Sequence, residues 1–456
     1  MVDGAVDAIY NMAALYVAVC FYSNLRRYVL LTGAPHKYTP QHITTNDTLH
    51  LFLKIMSYRC RLVTLLLTLY APNLVQSLKI VNVVTGANGF IGRAIVNELT
   101  QKGSDNQQST NLKKLNGAPP NIYPLVRSRR VESEQSWVDT LPSNNPIKVH
   151  PYDMLDSGTS LADCLSSIMS DHCGKEIAVN IFHVASVFGP TEDHEQTALD
   201  NVKGTEDVIR TCAAHECKIN CVIVTSSMAA VRATNQTPLN GVAYTHEDWN
   251  TMSKLGANWG ASYQWSKMQS EKRARELSAE LNVNLVSICP SFVFGPMLGP
   301  SSSYSLELVG KWARGQADVQ SRLCADVRDV ARAHVFAATQ VDEVLAGDHD
   351  SSSTQQHMYR YIVSSEARLT SLETAEALRR AARATGVTYG DKITCDLEFD
   401  GGAIQIGEQE VICADRLRDE LDLVCRPVVK TMEDMARTIY MEEVRAKIAQ
   451  MEVEDV

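Results

Sequence analysis

From Lys79 onward, short runs rich in β-branched and apolar residues alternate with stretches whose apolar residues recur at helical spacing. The runs Lys79–Thr85, Asn121–Val126, Ile147–His150, Ala178–His183, Asn220–Thr225 and Leu285–Cys289 predict six strands. Helices are predicted between most of them, over Ile91–Lys102, Leu161–Ser170, Glu195–His215 and Tyr263–Leu281. Strands that are apolar nearly throughout are buried on both faces, which implies a parallel sheet covered by helices on either side. The expected fold class is α/β, a doubly wound parallel sheet that takes ligand at the carboxyl ends of its strands. After Pro290 the alternation becomes irregular, as expected of a smaller region that covers a substrate.

The same pattern divides the chain into an apolar, helical N-terminal extension (1–78), the doubly wound domain (79–289) and a C-terminal region (290–456). Two polar stretches, Gly103–Pro120 and Gly347–Gln356, read as inserted loops, and Thr431–Ala449 as an amphipathic surface helix. Within the extension, the apolar stretches Ala8–Tyr22 and Leu62–Val75 are each shorter than the ~20 residues needed to span a bilayer. Asp7, Arg26, Arg27, Arg59 and Arg61 flank them, and the opening Met-Val-Asp-Gly lacks the basic start of a secretory signal. Three readings stay open for the extension: a packed helical addition, a membrane-surface anchor, or sequence wrongly assigned upstream of the protein.

Composition narrows the class further. Apolar residues make up 45% and charged residues 21% of 456, a globular balance. A net charge of −10 argues against a broad nucleic-acid surface, which needs clustered Lys and Arg. Twelve cysteines are scattered without a Cys-x-x-Cys pair, which suits core packing in a reducing, cytoplasmic setting, with membrane association left to the extension.

Thr85-Gly86-Ala87-Asn88-Gly89-Phe90-Ile91-Gly92 follows the first strand directly and opens the first helix. Gly86 permits the tight turn, Gly89 lets backbone approach a pyrophosphate, and Gly92 lets helix and strand pack closely, with Asn88, Phe90 and Ile91 beside the phosphates. The amides of the helix start then face the anion, so the 79–289 domain is expected to be a Rossmann domain that binds NAD(P). The second strand ends Val126-Arg127-Ser128-Arg129-Arg130, with no acid before Glu132. An acid there would hold the ribose hydroxyls of NAD, whereas Arg127, helped by Arg129 or Arg130, suits the 2′-phosphate of NADPH (NADP+) over NADH.

Of sixteen tyrosines, only Tyr263 has a lysine four residues later, Lys267, which puts both on one helix face. A tyrosine can protonate a developing alkoxide near neutral pH only if its pKa falls from ~10, and a neighbouring ammonium with an oxidised nicotinamide favours that fall. The run Val222–Thr225 ends in Ser226-Ser227. Ser227 is placed as the donor to the substrate oxygen, with Ser226 as the alternative.

Together with His183-Val184-Ala185-Ser186, Asn201-Val202-Lys203-Gly204-Thr205, Glu247–Asn250, Cys289–Pro296 and Asp326–Ala331, these motifs resemble the extended short-chain dehydrogenase/reductases, part of the NAD-dependent epimerase/dehydratase superfamily. The branch resembled is that of dihydroflavonol reductase, cinnamoyl-CoA reductase and yeast-type aldehyde reductase, from about Lys79 to Tyr440. The resemblance implies Ser227, Tyr263 and Lys267 as the catalytic triad, with Tyr263 and Lys267 also holding the nicotinamide ribose. It implies Asp153 and Met154 near the adenine, Ala185 and Ser186 along the cofactor and Pro290 before the loop facing the nicotinamide. It also implies that Asn201 supports the active-site helix, against a plain reading as a helix-interior polar residue, and that Asp329 braces backbone. Phe188, Met228, Trp249, Trp259 and Phe292 are the candidate pocket residues. Residues 1–78, the two inserted loops and Tyr389–Val411 depart from the family pattern.

The function expected is reversible NADPH-dependent reduction of a small-molecule ketone or aldehyde, by a monomer or homodimer. Three alternatives remain. NAD-dependent alcohol oxidation of the 3β-hydroxysteroid dehydrogenase type would suit a membrane-docked extension but not Arg127. A nucleotide-sugar epimerase is disfavoured by Glu247–Asn250 and the basic end of strand two. A non-catalytic nucleotide-binding scaffold would not need Tyr263, Lys267 and Ser227 together.

Overall fold

The computed structural model describes residues 79–101, 121–143, 147–299, 301–339, 359–365, 368–395, 411–412 and 414–454. The N-terminal extension and both inserted loops lie outside these residues. The elements run β1 (Lys79–Thr85), α1 (Phe90–Thr100), β2 (Asn121–Val126), α2 (Val131–Val138), β3 (His150–Pro151), α3 (Thr159–Asp171), β4 (Ile177–His183), α4 (His194–Ala214), β5 (Ile219–Thr225) and α5 (Met228–Val231). They continue β6 (Ala243–Tyr244), α6 (Trp259–Leu281), β7 (Leu285–Pro290), β8 (Phe292–Phe294), α7 (Tyr304–Ala313), β9 (Cys324–Asp326), α8 (Val327–Thr339), β10 (Tyr359–Val363), α9 (Ser371–Thr385), β11 (Val411–Ile412), α10 (Asp415–Leu421) and α11 (Val428–Glu454).

Seven strands form one parallel sheet in the order β10-β7-β5-β4-β1-β2-β3. Alternate side chains of a strand point to opposite faces, and both faces are apolar. Val81 and Val83 of β1 pack with α3, α4 and α6 through Leu165, Val208 and Leu277. Val84 packs on the other side with Ala94 and Ile95 of α1 and Val335 of α8. Each layer of helices thus buries its apolar stripe against one face of the sheet. Between the layers, Asn220 donates to Asn180 (2.8 Å) and Asn180 to Asn82 (3.1 Å), a side-chain ladder across β5, β4 and β1. Strand order reverses between β1 and β4, and a crevice opens at their carboxyl ends, where ligands bind in such sheets.

Three expectations change. The third strand shrinks to His150–Pro151, because only Leu125 and Val126 of β2 reach it. A seventh strand, β10, joins the sheet from the chain beyond Pro290, pairing Tyr359–Val363 with Val286–Pro290. Helix α11 is amphipathic as predicted but no mere surface helix. Met432, Met435, Ala436 and Tyr440 are buried in the core cluster that also holds Ala375 and Leu378 of α9. No helix among the described residues is long and apolar enough to cross a membrane.

Candidate active site

The crevice is a cavity of about 1090 Å³ at the carboxyl ends of β1, β2, β4, β5 and β7. One part is built by the turn after β1. Gly86 has φ +65°, and a Cβ there would lie 2.9 Å from the Ala185 backbone. A Cβ on Gly92 would lie 2.2 Å from the Gly86 carbonyl oxygen, so this glycine is what lets α1 start against the turn. Gly86, Asn88, Gly89, Phe90 and Ile91 line the cavity, whereas Gly92 lies behind them. The N-cap of α1 is Gly89, no side chain caps its amides, and its first turn carries no acid.

Arg127, Arg129 and Arg130 line the cavity beside this loop, all exposed, the last two in a 3-10 turn. Met154, Ala185, Ser186 and Pro290 also line it. Asp153 does not. Its carboxylate accepts from the Leu155 amide (3.0 Å), closing a local turn instead. Oδ2 of this exposed carboxylate has no protein hydrogen bond among those described, and its neighbour Met154 faces the cavity.

The remaining part of the cavity holds Ser227, Tyr263 and Lys267, brought together from β5's end and α6. Lys267 is buried and donates to the Thr225 carbonyl (2.9 Å) and to Ser186 Oγ (3.2 Å), with Nζ 6.0 Å from the Tyr263 ring centre. Burial lowers its pKa to about 8, partly offset by Cys289 and Glu271. Burial pushes the Tyr263 phenol up to about 12, and the neighbouring Ser227 hydroxyl works the other way. The fall in tyrosine pKa sought from the Tyr/Lys spacing is not produced by the lysine alone, because its ammonium is turned toward Ser186 and Thr225.

Both serines line the cavity, but their hydroxyls are engaged differently. Ser226 is buried and gives its hydroxyl proton to Glu271 Oε2 (2.6 Å). Ser227 is half-buried, caps α5 by accepting from the Ala229 amide (3.1 Å), and faces Tyr263.

The sequence profile of the NAD dependent epimerase/dehydratase family matches residues 82–349 of this chain. The chain belongs to that family. Tetraketide alpha-pyrone reductase 2 of Arabidopsis thaliana is 26% identical over 265 residues, 56% of this chain and 72% of that protein. Cinnamoyl-CoA reductase CAD2 of Medicago truncatula is 32% identical over 262 residues, 56% of this chain and 71% of that protein. In fold, the chain is similar to yeast methylglyoxal/isovaleraldehyde reductase Gre2, solved with NADPH. The TM-score is 0.61 at 22% identity, over 80% of this chain and 99% of that one. This member of the epimerase/dehydratase family is thus an oxidoreductase of the extended short-chain branch.

Around Tyr263 the family member carries an aromatic wall. Phe188 lies 4.7 Å from the Tyr263 ring, 5.4 Å from Tyr304, 5.8 Å from Phe292 and 6.3 Å from Trp259. Met228 lines the cavity too, but Trp249 does not, because the Arg360 guanidinium stacks 4.0 Å above its ring. Asn201 is buried. It accepts from the Val187 amide (2.8 Å), donates to the Val187 carbonyl (3.1 Å), and takes the Ser270 hydroxyl on its own carbonyl (3.2 Å). It therefore ties the loop after β4 to α4 and α6. Asp329 accepts from the Arg426 amide (2.6 Å) and from its guanidinium, at the start of α11.

Sequence reasoning missed Tyr304, which comes from α7, and the buried pair Glu271–Arg360. The only local signal for Glu271 is its place four residues after Lys267 on the same helical stripe.

Proposed function

We propose that the chain is an NADPH-dependent carbonyl reductase that turns a ketone or aldehyde into an alcohol, reversibly, with Tyr263 as general acid. The observation that carries this reading is the convergence of Ser227, Tyr263 and Lys267 on one cavity with the glycine loop and Arg127. A nicotinamide dinucleotide phosphate fits the residues present. Gly86 and Gly89 leave bare backbone where a pyrophosphate would approach, and α1 turns uncapped amides toward it. Arg127, Arg129 and Arg130 supply guanidinium for a 2′-phosphate. Met154, Ala185, Ser186 and Pro290 are the other residues that would hold the dinucleotide.

When bound, the cofactor supplies the hydride and leaves a positive ring on oxidation. The chain's own residues handle the proton. Ser227 and the Tyr263 hydroxyl, which line the same part of the cavity, flank the position of the carbonyl oxygen. Tyr263 passes its phenolic proton to that oxygen as negative charge develops there. Lys267, fixed by Thr225 and Ser186, lowers the cost of the resulting phenolate. Phe188, Phe292, Trp259 and Tyr304 exclude water from the reacting oxygen and favour a substrate with an apolar body.

The test is a fluorescence titration of the full chain with NADPH and NADH, followed by NADPH oxidation against a panel of aliphatic and aromatic aldehydes. NADPH should bind at least about tenfold more tightly. Tyr263→Phe should bind NADPH as the parent does and lose roughly 10²–10⁴-fold in turnover. Undiminished turnover in that variant removes Tyr263 as the acid, and a preference for NADH moves the NAD-dependent alcohol oxidation ahead.

A further inference from the structure

Helix α6 carries Tyr263, Lys267 and Glu271 four residues apart, on one stripe facing the end of the sheet. The third member is unlike the first two, because it lines no substrate space and none of its surface is exposed. Its carboxylate accepts from Arg360 Nε (2.6 Å) and Nη2 (3.2 Å), from Ser226 Oγ (2.6 Å) and from Cys289 Sγ (3.6 Å). Arg360, on β10 and 1% exposed, also donates to the backbone carbonyls of His246 (3.0 Å) and Asp248 and stacks on Trp249.

Two of the partners, and Glu271 itself, are close in sequence to residues of the proposed site. Ser226 precedes Ser227, Cys289 precedes Pro290, and Glu271 follows Lys267 by one turn. The neighbouring loop folds back on Ser227's helix. Asn250 donates to the Ala229 carbonyl (2.8 Å), and its own amide to the Ala230 carbonyl (2.9 Å). One carboxylate therefore joins the ends of β5 and β7, the middle of β10 and the turn of α6 that bears Lys267. A buried ion pair adds little net stability over apolar packing, so its use is better sought in what it fixes.

We propose that Glu271, clamped by Arg360, is a positioning residue for the proposed carbonyl reduction. By taking the Ser226 hydroxyl it turns the strand end so that Ser227 alone faces the carbonyl oxygen, and it holds Lys267 in register with that serine. The inference rests on the reductase reading for its consequence in turnover, and on the structure alone for its consequence at Lys267.

The charged and titratable groups facing Lys267 are Tyr263 and Glu271 on its own helix, Cys289 from β7 and His183 from β4. Those facing Glu271 are Arg360, Arg275, Cys289 and Lys267. Burial pushes the Glu271 carboxyl up, but Arg360, Ser226 and Arg275 together hold it below the usual range, so it is ionised and favours the charged form of Lys267. Glu271→Gln leaves Arg360 uncompensated, and Lys267 should then lose its proton at lower pH.

Two variants of the full chain test this. In Ser226→Ala the ion pair is intact and only the tether is cut. NADPH binding should stay within about twofold, while kcat for an aldehyde reduced by the parent falls about tenfold or more, since small misplacements are costly at a reacting centre. In Glu271→Gln the pH dependence of Lys267 acetylation by acetic anhydride, followed by mass spectrometry on cofactor-free protein, should shift down by about one unit. The basic limb of the pH–rate profile should move the same way. Parent-like kcat in Ser226→Ala overturns the positioning role of the tether, and an unmoved Lys267 midpoint in folded Glu271→Gln overturns the link to Lys267. Failure of the parent chain to bind NADPH or reduce any aldehyde sinks the reductase reading instead, and the acetylation shift still decides the link.

Discussion

Arg127 stands with an exposed side chain at the end of β2, beside the turn that holds Gly86 and Gly89. A guanidinium there gains charge-assisted hydrogen bonds from a 2′-phosphate that a 2′-hydroxyl cannot supply. Such bonds are worth about 1.5–3 kcal/mol, roughly ten- to hundredfold in affinity. Arg127→Ala should therefore raise the Kd for NADPH by at least about tenfold and leave that for NADH nearly unchanged, as read by fluorescence titration. Equal weakening of both removes the phosphate role, and no weakening passes it to Arg129 or Arg130. This residue was legible because an arginine replaces an acid at a position set by the strand end. Asp153 is less direct, since one of its oxygens accepts from the Leu155 amide two residues away.

At the scale of elements, the turn between β1 and α1 is the most constrained. Its three glycines answer different demands: a positive φ at Gly86, and the Gly86 carbonyl 3.2 Å from a Cβ on Gly89 and 2.2 Å from one on Gly92. Gly92→Ala must push α1 away from β1, because a methyl group cannot sit 2.2 Å from a carbonyl oxygen. Overpacking of this kind costs about 1–3 kcal/mol, measurable by urea unfolding, and NADPH affinity should fall with it. Binding at parental strength would mean that the start of α1 does not contribute to the phosphate site. Six strands and five helices were readable from periodicity alone, since each buries one stripe or both faces. Helices α2, α5 and α7–α10 and strands β6 and β8–β11 were not, because they are short or carry mixed signals and their state is set by neighbours. Tyr359–Val363 becomes a strand because the β7 edge is open to it and because Arg360 finds Glu271.

Over the whole molecule, two buried histidines couple layers that lie far apart in sequence. His334 on α8 has Nδ1 2.7 Å from the Val330 carbonyl, so that nitrogen carries the proton and Nε2 accepts from Thr225 Oγ1 (2.8 Å). His183 lies between Thr85 (3.0 Å) and Thr205 (3.3 Å). Burial lowers their pKa values to about 4 and about 3, against 6.5 when exposed, with Lys267 adding to the effect on His183. Below pH 6.5 the unfolded chain takes up protons that the folded chain refuses until pH 4 or lower. Their contribution to stability is thus complete above pH 6.5 and lost as pH falls toward 4. Tm should drop across that window, and His334→Gln should flatten the drop; a Tm that is level from pH 7 to 4.5 contradicts this.

The sequence by itself determined the class of fold, the glycine turn, the Tyr263/Lys267 pair and the basic end of β2. Each of these is written in local spacing, where helical or strand geometry fixes which side chains share a face. Tertiary structure alone tied the Ser226 hydroxyl to Glu271, set Arg360 rather than open space against Trp249, and brought Tyr304 to the cavity. It also paired Glu271 with Arg360 across 89 residues. Those outcomes depend on which buried polar groups find partners, and a partner distant in sequence leaves no mark on the local pattern.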